Sequence, residues 1–584
     1  MSREVNRSDF DVSPDTIEAS LDPLAGGTAY DNPIWTPQQI AAHLNRTQTG
    51  WGVGANGTPG SDGDLQTINF GFHGDLDSLW ENGYVYELGG SLFAFAEYFN
   101  FAPFTEAQKA AAREAIGYWD DVVAVSFVET HSDDADINFG NLASAPTTQA
   151  YARLPASLVL SPLNPPAVIA HVNPQVLEIG GDVWVSASQA SNFQLDEGLY
   201  GMNTLVHELG HAIGLSHPGS YNFGPGFAVT YQNGAEYAQD IRNYTIMSYW
   251  NPRDVGIQDH DYLMGTIAYG ATPGIHDIYA AQQMYGADMT TRTGNTTYGF
   301  NATADTAGRD ALNFDLTPAP GMTIWDAGGI DTLDASGYNT NQVIDLTPGS
   351  MSSIGGVTLA EAPSLAEVNA NRAAAGYPPL SQASYDIRMN NLANNADAGL
   401  LVDNVGIAYG VTIENAVGGG GNDIMIGNSA SNRLNGGAGN DVISGGAGVD
   451  FVTGGSGNDT FIADINGATV SSKRGSISLD VITDFVSGSD KIDLAGIDAK
   501  PQAGDQAFTF RGTSANKNAG DLTFKVYTSI NGAENALGMD LDGIDGNGAA
   551  GPVTVVFGNS DGGAADFAIV LLNTNGVVPT DFIF

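Results

Sequence analysis

Residues 418–462 repeat a nine-residue unit five times in unbroken register: G-G-G-G-N-D-I-M-I, G-N-S-A-S-N-R-L-N, G-G-A-G-N-D-V-I-S, G-G-A-G-V-D-F-V-T and G-G-S-G-N-D-T-F-I. A fixed period of this kind constrains the backbone more than any other feature of the chain, because each unit buries its apolar position only by stacking on its neighbours. Four of the five units fit G-G-x-G-x-D-x-U-x, in which U is apolar. Glycine permits a tight half-turn and exposes its carbonyl, aspartate supplies a hard oxygen donor, and U points inward. The U residues are Met425, Leu434, Ile443, Val452 and Phe461.

The pattern is that of calcium-binding parallel β-rolls, the RTX repeats. One coil of such a roll takes two units, so Asp423, Asp441 and Asp459 are expected to align on one edge. The opposite edge carries Asp450 and, in the degenerate second unit, Asn432, where weaker calcium binding is expected. The calcium loops would combine these four aspartates with Gly419, Gly421, Gly437, Gly439, Gly446, Gly448, Gly455 and Gly457.

Charge fits this reading. Acidic residues outnumber basic ones 66 to 20, for a formal charge of -46. Nucleic acid and anionic lipid are therefore poor partners, and divalent cations are natural counter-ions. Unneutralised carboxylates repel, so the roll is expected to stay loose where calcium is scarce and to fold where it is plentiful, as outside a cell. The chain has no cysteine, which excludes disulfides, thiolate metal sites and a cysteine-based latency switch.

Residues 207–217 read H-E-L-G-H-A-I-G-L-S-H. On a helix His207 and His211 share one face, Glu208 lies beside them, and Gly214 lets the backbone leave the helix so that His217 returns as a third donor. Three neutral imidazoles leave a zinc ion with an open position, the mark of a catalytic site. The full H-E-x-x-H-x-x-G-x-x-H string is satisfied at every position. Downstream, Thr245–Trp250 reads T-I-M-S-Y-W.

The extended zinc motif followed by a methionine turn resembles the metzincin clan, and the Ser-Tyr after the methionine resembles the serralysin family. The likeness continues through His217-Pro218-Gly219, Tyr221-Asn222 and M-Y-G-A-D-M-T-T-R-T-G at Met284–Gly294, then into the repeats. It implies that Met247 forms a hydrophobic floor under the metal and that Tyr249 is a displaceable zinc ligand. It implies a secreted zinc endopeptidase in which Glu208 is the general base and Tyr249 stabilises the developing oxyanion. Trp325–Tyr338 also resembles the family and points to further calcium at Asp326, Asp331 and Asp334, an ordinary Asp/Gly turn being the alternative.

The expected fold is an α+β zincin-like catalytic domain followed by an all-β parallel β-roll. Helices are expected over Thr36–Leu44, Thr105–Asp120, Met202–Ile213, Ile275–Tyr285 and around Ala360–Ala375, with strands over Val122–Glu129, Ala135–Gly140 and Gly181–Ser188. The expected division is a leader or propeptide at 1–30, a zinc peptidase domain at 31–295, a linking β segment at 296–417 with an insertion at 357–399, the roll at 418–462, and a C-terminal β region with a secretion signal at 463–584. The proline-rich Leu154–Pro174 loop and the 357–399 stretch look longer than the family usually has.

Residues 1–22 hold no apolar h-region, whereas Asp581-Phe582-Ile583-Phe584 resembles the uncleaved signal read by ABC-type export machinery; a closing β-strand is the structural alternative. Expected partners are protein or peptide substrates and that machinery, with no nucleic acid, no membrane span and a monomeric state. Two other readings use the same residues: a calcium-dependent surface or matrix protein with a relic protease domain, and a processing protease of narrow specificity.

Overall fold

The computed structural model describes residues 27–47, 49–51, 67–88, 91–155, 158–159, 176–177, 179–221, 229–304, 308–463, 478–500, 506–514, 518–537, 551–560, 565 and 567–584. Residues 1–26 of the expected leader, 156–157 and 160–174 of the proline-rich stretch, and Asn222 lie outside the described residues.

The first half builds a sheet backed by helices. Helix α1 (Pro37–Leu44) starts on a Thr36 cap with proline at its first position. Strand β1 (Thr67–Phe72) precedes helix α2 (Glu106–Asp120), where Thr105 Oγ1 accepts from Gln108 N–H and the Gln108 side chain accepts from Thr105 N–H. This reciprocal cap satisfies two otherwise orphaned donors. Strands β2 (Ser126–Glu129), β3 (Ile137–Leu142), β4 (Ala150–Ala152) and β5 (Val183–Ser186) follow. The order of these five is β2-β1-β3-β5-β4, parallel except for β4, which runs antiparallel at the edge, and a short sixth strand, Phe101–Ala102, pairs antiparallel with β3. Helix α3 (Tyr200–Ala212) crosses this layer and α4 (Ile275–Tyr285) packs near α1. Each of these helices lies within two residues of its expected span.

The second half is built from short strands in two long sheets, with a three-stranded sheet of Met322–Ile324, Val405–Ile407 and Met351–Ser352 beside them. One contains, among others, β6 (Thr297–Gly299), β7 (Thr332–Asp334), β9 (Asn415–Val417), β11 (Arg433–Ala438), β13 (Phe451–Ser456) and β15 (Ser478–Ile482). The other contains β8 (Val343–Asp345), β10 (Ile424–Ile426), β12 (Val442–Ser444), β14 (Thr460–Ile462), β16 (Lys491–Asp493) and β17 (Phe582–Ile583). From β9 to β14 the chain alternates between the sheets, and each strand pairs in parallel with the next on its own side. Leu434 sits opposite Val452, and Ile443 opposite Phe461. All five U side chains are at most 5% exposed, the burial that the period requires.

Pairing does not stop where the glycine pattern does. β15, β16 and β17 extend the same two sheets downstream, and β17, which holds Phe582, lies parallel to β16. Asp581 is buried and accepts from Ser487 Oγ (2.7 Å) and Gly488 N–H (2.9 Å), anchoring that strand. The 357–399 stretch folds as two helices, α5 (Leu365–Ala374) and α6 (Gln382–Asn394), tied back by Arg372 to Met264 O (2.8 Å) and by Arg388 to His260 Nε2 (2.9 Å). One apolar core joins the halves: Leu205, Val206 and Leu209 of α3 belong to the same packed cluster as Ile407, Leu434 and Phe461.

Candidate metal centre

Helix α3 brings His207, Glu208 and His211 to one face, and the turn that ends it delivers His217. Gly214 has φ +114°, and a Cβ there would stand 2.0 Å from Thr49 O and 2.8 Å from Met284 Cε. Only glycine combines that backbone with that approach. Arg46, just past α1, donates to His217 O and to Gly219 O (3.2 Å), holding the returning loop from outside.

Each imidazole is oriented by a main-chain carbonyl. His207 Nδ1 meets Ile246 O at 2.7 Å, His211 Nδ1 meets Leu215 O at 2.7 Å, and His217 Nδ1 meets Tyr221 O at 3.0 Å. A carbonyl only accepts, so every Nδ1 carries the proton and every Nε2 presents a lone pair. The three Nε2 atoms converge: His217 Nε2 lies 2.9 Å from that of His211 and 3.3 Å from that of His207. Burial, and after it for His207 and His217 the neighbouring imidazoles, holds these rings neutral, His211 at about 4. Three unprotonated nitrogens aimed at one point repel unless a cation lies between them, and this donor set is the one zinc takes in catalytic sites.

Met247 is fully buried below the helix. Its Sδ occupies the place a side chain at Gly210 would need, 2.4 Å from where that Cβ would lie. The turn around it is fixed by Asp277 near the start of α4, which accepts from Thr245 Oγ1 (2.5 Å), Ile246 N–H (2.6 Å) and Gly274 N–H (2.8 Å). The Tyr249 ring centre lies 4.4 Å from that of His217 and 5.9 Å from that of His207. Behind it, Asp240 accepts from Tyr221 Oη (2.6 Å) and Ser248 Oγ (2.8 Å).

Glu208 is 6% exposed. Burial raises its proton affinity to about 8, partly offset by the Ala152 N–H of edge strand β4, and Oε2 has no hydrogen-bond partner among the described residues. A carboxylate so placed takes and returns a proton near neutrality. It faces a cleft of about 560 Å³ whose walls include Gln149, Gln189, Tyr200, Thr204, Arg242 and Tyr249. Asp240, Asp277, Arg46 and Arg242 were not anticipated as site residues; only Asp277 left a local sign, lying three residues after the helix-starting Gly274.

In the repeats, carboxylates form ladders. Gln342 N–H donates to Asp423 Oδ1 (2.7 Å), Asp423 N–H to Asp441 Oδ1 (2.8 Å), Asp441 N–H to Asp459 Oδ1 (2.9 Å) and Asp459 N–H to Asp490 Oδ1 (3.1 Å). On the other edge Asn432 N–H donates to Asp450 Oδ1 (2.8 Å). Asn432 Oδ1 accepts from Asn428 N–H as Asp423 Oδ2 does from Gly419 N–H, so the amide preserves the turn while removing a charge. Asp441 Oδ2 is buried without a hydrogen-bond partner, and burial lifts Asp441 to about 7 and Asp423 to about 6. Gly437, Gly439, Gly446, Gly448, Gly455 and Gly457 all have positive φ, whereas Gly419 and Gly421 do not. Upstream, Asp326 accepts from Tyr298 Oη (2.6 Å) and Asp331 from Thr296 N–H (2.7 Å), with Asp331 Oδ2 buried and unpartnered; Asp334 accepts from Ser336 N–H (2.9 Å).

Residues 99–233 match the family described as Matrixin, and residues 287–376 and 380–545 match that described as Peptidase M10 serralysin C terminal. Metallopeptidase AprA of Pseudomonas marginalis is 42% identical over 403 residues, covering 68% of this chain and 69% of that protein. Metalloprotease AprA of Pseudomonas entomophila strain L48 is 40% identical over 403 residues, covering 68% of each. Serralysin of Photorhabdus luminescens is 40% identical over 404 residues, covering 68% of this chain and 67% of that protein. With the helix, the returning imidazole and the methionine turn in one place, and relatives of this similarity over two thirds of their length, the chain belongs to the serralysin family and is a metalloendopeptidase of the zinc-dependent class.

Proposed function

We propose that this metalloendopeptidase acts outside the cell on protein or peptide substrates, with zinc held by His207, His211 and His217 and with Tyr249 as a displaceable fourth protein ligand. The observation that carries the reading is the convergence of three Nε2 lone pairs, each fixed by a Nδ1–H to carbonyl bond, beside a buried and under-bonded carboxylate. Zinc bound there would supply a Lewis acid and lower the pKa of water towards about 7. Glu208 takes the proton of the attacking water and hands it to the departing amine, the kind of transfer worth roughly 10²–10⁴ in rate. The Tyr249 hydroxyl donates to the oxygen on which negative charge develops. Met247 and Asp277 keep the carbonyl of Ile246, and through it His207, in place.

The repeats are proposed as a parallel β-roll that takes calcium at Asp423, Asp441, Asp450 and Asp459 together with the carbonyls of the adjoining glycine turns. The unpartnered, buried Asp441 Oδ2 supports this, since a carboxylate oxygen in that state is stabilised by a cation. A chain with no helix among its described residues long and apolar enough to cross a membrane, whose repeats need calcium, suits export by ABC-type machinery and a monomeric life in the medium.

Glu208→Ala tests the chemistry. The variant should bind one zinc per chain and lose at least about 10²-fold of casein hydrolysis. Wild-type hydrolysis by the variant would remove Glu208 from its role, and absence of stoichiometric zinc in the native protein would remove the reading altogether.

A further inference from the structure

Among the described residues that line the cleft, Glu208 is the only carboxylic acid and Arg242 the only arginine or lysine. Arg242 stands seven residues before Tyr249, on the approach to the methionine turn. Its Nε donates to Ser248 O (3.2 Å) and its Nη1 to Asn251 Oδ1 (2.7 Å). Its Cζ lies 5.7 Å and 5.6 Å from the ring centres of Tyr200 and Tyr269. Every one of these partners is neutral.

Six of the other described arginines make a useful contrast, while Arg46, Arg372 and Arg388, none of which lines the cleft, bind neutral acceptors as Arg242 does. Arg113, Arg153, Arg253, Arg292, Arg309 and Arg511 each meet a carboxylate within 3.0 Å. In a chain with 66 acidic and 20 basic residues, carboxylates are plentiful, yet none is paired with Arg242 among the described residues, and its Nη2 makes no hydrogen bond there. Two tyrosine faces and two neutral acceptors hold the guanidinium in one orientation while leaving its charge and one edge of its fork for something else. A planar guanidinium so fixed is a receptor for a carboxylate, which it can take by two parallel N–H bonds.

The placement says which carboxylate. Tyr200 and Thr204 of α3 lie on the same cleft wall as Glu208, towards the helix N-terminus and away from His211 and His217. Glu208 meets the departing amine, so the residue that carries this amine passes over that wall. We propose that Arg242 is a specificity-determining residue: its guanidinium receives the carboxylate of an Asp or Glu side chain on the residue just after the scissile bond, and the enzyme prefers acidic residues there. This rests on the endopeptidase reading given above. The overall charge of -46 repels acidic peptides at a distance, so the preference arises at the subsite and not from long-range attraction.

The test uses the full chain loaded with zinc and calcium and a set of quenched fluorescent peptides identical except for Glu, Gln, Leu or Lys after the bond that is cut, the cut being located by mass spectrometry. The wild type should favour Glu over its uncharged isostere Gln by about ten-fold or more in kcat/KM. In Arg242→Gln that ratio should fall to near one, and in Arg242→Lys part of it should return. Equal rates on the Glu and Gln peptides by the wild type would overturn the proposal. So would an Arg242→Gln variant that loses activity on all four peptides by one common factor, because that is the signature of a guanidinium that merely pins Ser248. Failure of the zinc-loaded wild type to cut any peptide would instead bring down the endopeptidase reading, and the preference with it.

Discussion

The metal centre and the nonapeptide coils gather donors in opposite ways. At the centre, groups far apart in sequence converge on one point: His207 is aimed by a carbonyl 39 residues away, and the turn carrying Met247 is held by Asp277, 31 residues beyond Ile246. In the coils the same bond, N–H to aspartate Oδ1, recurs every 18 residues along one edge. A convergent site has no spare part, since each neighbour is used once. A translational site has copies above and below. Defects should therefore be close to all-or-none in the first region and graded in the second.

The largest effect is expected from Gly214→Ala. It strains a backbone at φ +114° and drives a methyl into Thr49 O, a cost on the order of 3 kcal/mol. His217 then leaves its place. The variant should lose zinc and activity together; a variant that keeps both would show that the centre tolerates repair and would break the contrast.

Asp441→Asn should do less. The amide can still accept from Asp423 N–H, and Asn432 shows that an amide also preserves the bond within its own turn, there from Asn428 N–H, but a charged donor is gone. Calcium titration followed by circular dichroism should show the midpoint raised by roughly ten-fold, with zinc content and casein hydrolysis unchanged at saturating calcium. Loss of all β signal would show that the ladder is as unforgiving as the zinc site.

The smallest effect sharpens the contrast within the first half. Glu114 of α2 shares a proton with Glu197 and is pushed up to about 9 by burial and then by that partner. The folded state keeps a proton that the unfolded chain gives up above its ordinary value near 4.5, so this pair costs stability progressively as pH rises between those limits. Glu114→Gln should leave the melting temperature unchanged near pH 4 and raise it by about 2 °C at pH 8. Equal shifts at both pH values would point to packing and not to the proton.

What could be read in advance follows from the same distinction. The helix bearing His207 and His211 and the stacked strands of the repeats were legible because their signals are local, one in spacing and the other in period. Helix α6 was not expected because Leu392 is its only buried side chain, so it shows almost no apolar stripe. The strands that extend the sheets past Ile462 were expected only as a β region, because Ser478–Ile482 and Lys491–Asp493 lack the glycine pattern and join by pairing alone. Asp240, Asp277 and Arg46 act across gaps of many residues, and no spacing rule connects them to the motif they serve.

Arg46 carries that last point to the bench. The string from His207 to His217 invites the view that everything needed to grip the ion is contained in eleven neighbouring positions and can be excised with them. Yet the bend that returns the third imidazole is clasped by a side chain from 171 positions earlier. A shortened protein that starts downstream of residue 46 would retain every ligand and lose the clasp, so weak metal retention in such a fragment would report on the missing arginine and not on the motif.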